Sequence, residues 1–321
     1  MHTSESIETN KSIFFGVDAA SEHLDAGAYG HNTVQRIHNT DPAIARWLDK
    51  LPPHAVIAVE STGRYHQRLV RAAHARGLTV YLLNPRDVRH YARGLGARGK
   101  TDRLDARILA RYVAHEHREL RPWTPLAPEH ERLEQLLRQR GTLVRHQQAL
   151  RMSAQDAPEL QELMGTLTAE FDAVLARLEQ RIGQAARALA HQEQWRHITS
   201  VPGIGVLSGA ALLSVFTRLQ RRRADAAIAL LGMDLRPMDS GNKTGLRRMS
   251  KRGCSEWRRL LFNAAMSASR TRTWQPFYER ERAKGLSRVA ALNALARRLV
   301  RVTFALFKTN TSFNPESLAA A

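Results

Sequence analysis

The chain has 321 residues and carries 49 Lys and Arg against 30 Asp and Glu, a formal net charge of +19. That length buries a large core and supports two domains with a connector, and the charge favours a polyanionic partner through long-range attraction and counterion release. A single cysteine, Cys254, excludes an internal disulfide framework; the polar start from Met1 to Lys11 excludes a secretory signal, and no apolar stretch nears the ~20 residues that span a bilayer, so a cytoplasmic protein without a membrane partner is expected.

Residues 11–125 read as alternating strands and helices. Ile13–Val17 is a strand ending at Asp18, with Ser21–Tyr29 as its hairpin partner. A short helix over 42–50 precedes a second strand, Val56–Glu60. Tyr65 to Arg76 is helical and stops at Gly77, a good C-cap residue. Leu78–Leu83 is a third apolar strand, closed by Asn84-Pro85. This alternation argues for an α/β sheet flanked by helices.

Residues 102–113 form a helix with an unusual face. Leu104, Ile108, Leu109, Tyr112 and Val113 share one arc, opposite Arg103, Arg107 and Arg111. Asp102 and Asp105 fall inside the apolar arc, where charge is costly unless paired or ligating a metal. Helix capping is the alternative use of an acid in a first turn. It accounts for Asp102 beside Thr101 more readily than for Asp105. Asp18 and Glu60 end strands, as acids often do. Together the four carboxylates supply the oxygen-rich surroundings that Mg²⁺ or Mn²⁺ prefers. Two such ions ~4 Å apart suit phosphodiester displacement. No Cys/His set has zinc spacing, and His115 and His117 read as surface residues.

Residues 126–195 change character. Leu133, Leu136, Leu137, Leu143, Val144 and Leu150 mark one amphipathic helix. After Asp156-Ala157-Pro158, the residues Met164, Leu167, Phe171, Val174, Leu178 and Ala185 follow a heptad seam, interrupted near Arg181. The pair suggests an antiparallel coiled-coil hairpin, either an oligomerisation arm or a bundle packed within its own chain.

Residues 196–321 are helical and more basic. Val201-Pro202-Gly203-Ile204-Gly205 reads as a glycine-rich hairpin before the apolar helix Val206–Phe216. Backbone N–H groups at Gly203 and Gly205 would suit a phosphate, although an ordinary tight turn has the same sequence. A helix over 224–231 leads to a polar loop from Asp234 to Arg252, and helices over 254–270 and 286–308 close the chain before a loose tail from Ser312. The loop carries Asp239-Ser240-Gly241-Asn242, by itself only a turn, among Lys243, Arg247, Arg248, Lys251 and Arg252. These cations suit a scissile phosphate and an activated hydroxyl, or equally a solvated charge run. Trp257, Trp274, Phe277 and Tyr278 serve core packing or base stacking.

The segments Gly16-Val17-Asp18, Val59-Glu60-Ser61-Thr62-Gly63 and Lys100-Thr101-Asp102-Arg103-Leu104-Asp105-Ala106 resemble the DEDD transposases of the insertion-sequence-110 family. So does the array Ser240-Gly241, Gly245, Ser250-Lys251-Arg252-Gly253 and Arg258-Arg259-Leu260. The resemblance covers nearly the whole chain. It implies a RuvC-like, ribonuclease-H-type domain whose metal-binding quartet is Asp18, Glu60, Asp102 and Asp105. It also implies a mostly α-helical transposase domain with a helix-hairpin-helix-like element and Ser240 as the nucleophile that becomes joined to DNA. Further implied are donor and target DNA, a structured guide RNA, and a tetramer (a dimer of dimers) whose active sites combine the acid domain of one protomer with the serine domain of another. Cys254 departs from the asparagine common after the Lys-x-Gly turn. A water-using RuvC-type endonuclease and a non-catalytic nucleic-acid binder are the alternatives. A transposase of this kind would be nucleoid-associated when bound to DNA.

Overall fold

The computed structural model describes residues 13–61, 63–96, 102–155, 157–219, 223–237 and 247–318, with the backbone alone at 102–104, 158, 161–163 and 317–318. The chain forms two compact units, residues 1–125 and 126–321.

The first unit is built on strands β1 (Phe14–Ala19), β2 (His23–Ala28), β3 (Val34–His38), β4 (Val56–Glu60) and β5 (Thr79–Leu83). They lie in the order β3-β2-β1-β4-β5. β1, β2 and β3 form an antiparallel meander, whereas β4 and β5 run parallel to β1. Parallel neighbours need crossovers, supplied by helices α1 (Asp41–Leu48) and α2 (Gln67–Ala75). Those helices cover one face, where Val17, Leu24, Ile57, Val59 and Val80 pack with Ile44, Trp47, Leu69 and Val70. Helices α3 (Pro85–Gly94) and α4 (Asp102–Glu116) cover the other face, where Val56, Ala58, Tyr81 and Leu83 meet Val88, Ile108, Leu109 and Val113. A mixed sheet with helices on both faces is the α/β architecture that the strand–helix alternation predicted.

Two elements here escaped the sequence pattern. β3 buries only Ile37, so it lacks the apolar run by which a strand announces itself. α3 buries only Val88; Asn84 starts it by accepting a hydrogen bond from the Arg86 N–H at 2.9 Å, with Pro85 in the first turn.

The second unit is mostly α-helical. Helices α5 (Pro128–Ser153) and α6 (Pro158–Leu189) form the expected hairpin, followed by α7 (Gln192–Thr199), α8 (Val206–Phe216) and α9 (Ala224–Leu230). A short ribbon, β6 (Leu235–Pro237) with β7 (Arg247–Met249), lies within the stretch read as a loop. Helices α10 (Ser255–Ala268), α11 (Gln275–Ala283) and α12 (Arg288–Thr309) complete it. Leu133, Leu136 and Leu137 of α5 and Ile182 and Ala186 of α6 belong to the core formed by α8, α10 and α12. The base of the hairpin is therefore continuous with the carboxy-terminal helices, and residues 126–321 make one unit. Further out, Met152, Leu160, Leu167 and Val174 are exposed.

The expected loose tail is docked where it is described. Phe313 stacks on Trp274 with ring centroids 6.0 Å apart, and its N–H donates to Ser200 Oγ. Trp257 and Trp274 are core residues, the former donating from Nε1 to Ser214 Oγ at 2.9 Å. Among the described residues, no helix is long and apolar enough to cross a membrane.

Candidate active site

The site grows from strand register. β1 and β4 are parallel neighbours with Phe14 beside Val56 and Val17 beside Val59. One step further along the same register, Asp18 lies beside Glu60, about 4.8 Å away between backbones. Side chains alternate along a strand, so Asp18 shares the face of Phe14 and Gly16, and Glu60 shares that of Val56 and Ala58. This is the face covered by α4. Both acids are half-buried.

Gly16 decides how close that helix comes. A methyl group there would sit 2.1 Å from the Ala106 carbonyl oxygen and 2.2 Å from the Ala110 nitrogen. The backbone of α4 thus rests directly on the backbone of β1, with Gly16 opposite Gly27 and beside Ala58. The far end of the helix lies at the other end of the strand, where the Phe14 and His117 rings are 5.0 Å apart and Tyr29 Oη meets His115 Nε2 at 2.9 Å. The helix therefore runs back along β1. Its start, with Asp102 and Asp105, points toward the strand ends that carry Asp18 and Glu60. Asp105 is half-buried. Asp18 and Glu60 thus lie at one end of one sheet face, and the start of α4, with Asp105 and the backbone of Asp102, is directed toward that end.

The donors are all carboxylates, a set that suits a hard, oxygen-seeking divalent ion. Among the described residues no group of three or more His, Cys, Asp or Glu is placed to hold a metal ion; the Asp102 side chain lies outside them. Burial pushes the Tyr81 phenol upward on the same face, where Tyr81 pairs with Ala58.

Sequence reading missed a fifth acid. Asp25 on β2 stands directly opposite Asp18 and is buried. Arg36, its partner on β3, grips it with two hydrogen bonds, Nε to Oδ1 at 3.0 Å and a terminal guanidinium nitrogen to Oδ2 at 2.9 Å. The signal was in the hairpin: pairing Ala19 with Leu24 forces Asp18 onto Asp25.

The expected residues of the second unit are distributed as follows. Arg247 and Arg248 are exposed on β7, with Arg247 paired to Pro237. Lys251 adopts a left-handed φ of 52° and its N–H donates to the Gly232 carbonyl. Gly232 and Gly253 pack backbone to backbone, and Arg258 donates to the Leu231 and Gly253 carbonyls. This crossing fixes Lys251 and Arg252 just after β7. Ser240 and Lys243 lie outside the described residues. Gly203 has a left-handed φ of 92°, and a side chain there would strike Ala268 of α10. Gly205 is exposed and caps α8, its N–H donating to Ser208 Oγ at 3.0 Å.

A family model for the DEDD transposases of the IS110 group matches residues 15–155, and one described as the transposase IS116/IS110/IS902 family matches residues 195–279. Together they span more than two thirds of the chain. The chain belongs to this transposase family. The transposase is 26% identical to a pilin gene-inverting protein of Moraxella bovis, over 94% of this chain and 97% of that protein. It is 27% identical to a probable family 20 transposase of Pseudomonas aeruginosa, over 83% of this chain and 87% of that one. A solved T. thermophilus RuvC bound to a Holliday junction substrate matches 35% of this chain and 100% of its own at 17% identity, with a TM-score of 0.28. That likeness is too slight to add to what the topology shows. The transposase is thus an enzyme of DNA recombination, and the first family model spans the strands and helix that bring Asp18, Glu60 and Asp105 to one face.

Proposed function

We propose that this transposase cuts and rejoins DNA strands through a phosphoserine bond at Ser240, with a divalent cation held by Asp18, Glu60, Asp102 and Asp105. The observation that carries the reading is the direct seating of α4 on Gly16, which delivers the start of that helix to the strand ends bearing Asp18 and Glu60. Bound there, Mg²⁺ or Mn²⁺ would draw charge from the scissile phosphate.

The protein's own residues do the rest. Ser240 Oγ attacks phosphorus, a new phosphoserine ester forms, and the bond to the 3′ oxygen breaks. The hydroxyl proton leaves Ser240, and the departing 3′ oxygen takes up a proton to become a free hydroxyl. Lys243, Arg247, Arg248, Lys251 and Arg252 neutralise the phosphate and stabilise the charge that develops on it. The serine ester keeps the phosphoester bond energy, so a 3′-hydroxyl from another strand displaces Ser240 and reseals the DNA. Gly203 lies at a hairpin suited to backbone contact with a neighbouring phosphate, whereas the Gly205 N–H, expected to serve the same purpose, is taken up by Ser208 Oγ in capping α8. A structured RNA guides the choice of donor and target, consistent with the large positive charge. The working form is a tetramer, a dimer of dimers. Leu160, Leu167 and Val174 support it, because they recur every seventh residue along α6 yet are 48%, 42% and 43% exposed.

End-labelled donor DNA tests this reading. Wild-type protein should give a denaturant-resistant protein–DNA adduct and a new 3′-hydroxyl end, and Ser240→Ala should give neither. Cleavage by Ser240→Ala without an adduct would instead make water the nucleophile.

A further inference from the structure

Four residues from four adjacent strands make a single row across the sheet: Glu60 on β4, Asp18 on β1, Asp25 on β2 and Arg36 on β3. Asp18 and Asp25 form a directly opposed antiparallel pair. The bonds from the Tyr29 N–H to the Phe14 carbonyl and from the Ala20 N–H to the His23 carbonyl put them in the hydrogen-bonded class, about 5.5 Å apart between backbones. Like charges so placed destabilise a sheet. The Asp25 side chain is 9% exposed, so it keeps its charge at low cost only with a partner. Arg36 is that partner. Its side chain is 57% exposed, and its guanidinium holds Asp25 by a two-point fork.

We infer that Asp25 and Arg36 are positioning residues for the acid site: Arg36 keeps Asp25 out of the cation's ligand set and balances its charge beside Asp18. The inference rests on the acid-site reading proposed above. A fifth free carboxylate one strand from Asp18 would compete with the scissile phosphate for the ion. A net positive charge in the same place would repel it. The fork holds the local field between those extremes, and the two members of the pair should therefore act on cation affinity in opposite directions. A purely structural ion pair has no such signature, because losing either member would merely weaken the fold.

The experiment is a Mn²⁺ titration of the full-length protein, without DNA, read by electron paramagnetic resonance at constant pH and ionic strength. Asp25→Asn removes one negative charge beside the site and should weaken Mn²⁺ binding, and Arg36→Gln removes one positive charge and should tighten it. Each shift should be about tenfold, the effect of one unit charge on a doubly charged ion ~5–6 Å away at high dielectric. The double variant should return to within about twofold of wild type, judged against that same shift. Arg36→Lys, which keeps the charge, should also stay near wild type, and Arg36→Met, which like Arg36→Gln removes the charge, carries the same expected tightening if Arg36→Gln fails to fold. Strand cleavage by Arg36→Gln should fall even as its affinity rises. Single-variant shifts of the same sign, or no shift in either while Asp18→Asn abolishes binding, would overturn the inference and leave the acid site standing. Unchanged binding by Asp18→Asn would overturn both.

Discussion

Gly16→Ala is the sharpest test of how the acid site is assembled. The added methyl would lie 2.1 Å from the Ala106 oxygen, 2.2 Å from the Ala110 nitrogen and 2.7 Å from Leu109 Cβ, whereas Cβ atoms essentially never come within 3.0 Å of such neighbours. Two of those three neighbours are backbone atoms of a helix, so no side chain can swing aside. α4 must instead retreat from β1 by about 0.9 Å, which loosens Ile108, Leu109 and Val113 from Val56, Ala58 and Tyr81. Overpacking costs about 1–3 kcal/mol when neighbours adjust; with rigid backbone on both sides the upper end applies, about 3 kcal/mol. The same retreat carries Asp105 away from Asp18 and Glu60, and a displacement near 1 Å costs about a hundredfold in rate. Urea unfolding followed by tryptophan fluorescence, with Trp47 buried in this unit, gives the first quantity. Single-turnover cleavage of labelled donor DNA gives the second. Gly94→Ala is the control, because no atom lies within 4 Å of the added methyl; it should leave stability within about 0.5 kcal/mol. Wild-type stability and cleavage in Gly16→Ala, or equal damage from Gly94→Ala, would refute the seating of α4 as the basis of the site.

Three further outcomes are expected. Burial acts to raise the Glu134 pKa, but a hydrogen bond with His130 and the charges of Arg218 and Arg138 outweigh it, so the carboxyl titrates below its ordinary value. Its stabilisation is therefore complete above the unfolded glutamate value near 4.5 and lost as pH falls through the lower folded value. Glu134→Gln should lower the melting temperature at pH 7, at a cost of about 1–3 kcal/mol, and narrow its gap from wild type in acid; a constant gap would refute the ion-pair account. Gly165→Ala, in the exposed interior of α6 with no atom near the added methyl, should raise stability by about 0.5–1 kcal/mol, and a lower melting temperature would contradict it. DNA affinity should fall steeply and linearly on a log–log plot against salt; a flat response would remove the electrostatic basis of binding.

The legible parts of this chain were those where residue type and period agree. Val56–Glu60 is a run of apolar residues after Pro52-Pro53, and it is β4 to the residue. Val206–Phe216 is likewise α8, mostly apolar because it is buried from Ser208 to Phe216. Elements that bury one face thinly gave no such signal: β3 contributes Ile37, α3 contributes Val88, and α11 has no buried residue. The tail read as loose because Phe313 is one aromatic among polar residues, and its partner Trp274 lies 39 positions earlier in the chain.

The acid site divides along the same line. Asp18, Glu60, Asp102 and Asp105 were visible because a charge at the end of an apolar run, or inside an apolar arc, violates a local pattern. Gly16 and Asp25 violate nothing local. Gly16 matters only because Ala106 and Ala110 approach it from a helix some ninety residues away, and Asp25 only because the hairpin register sets it against Asp18. Reading such residues requires the pairing of strands first. Once that register is fixed, the row of Gly27, Gly16 and Ala58 explains why the helix can reach the acids at all: anything larger at its centre would lift α4 off the sheet. The small residues are thus as much a part of the site as the carboxylates, and mutational scans confined to charged positions would miss them.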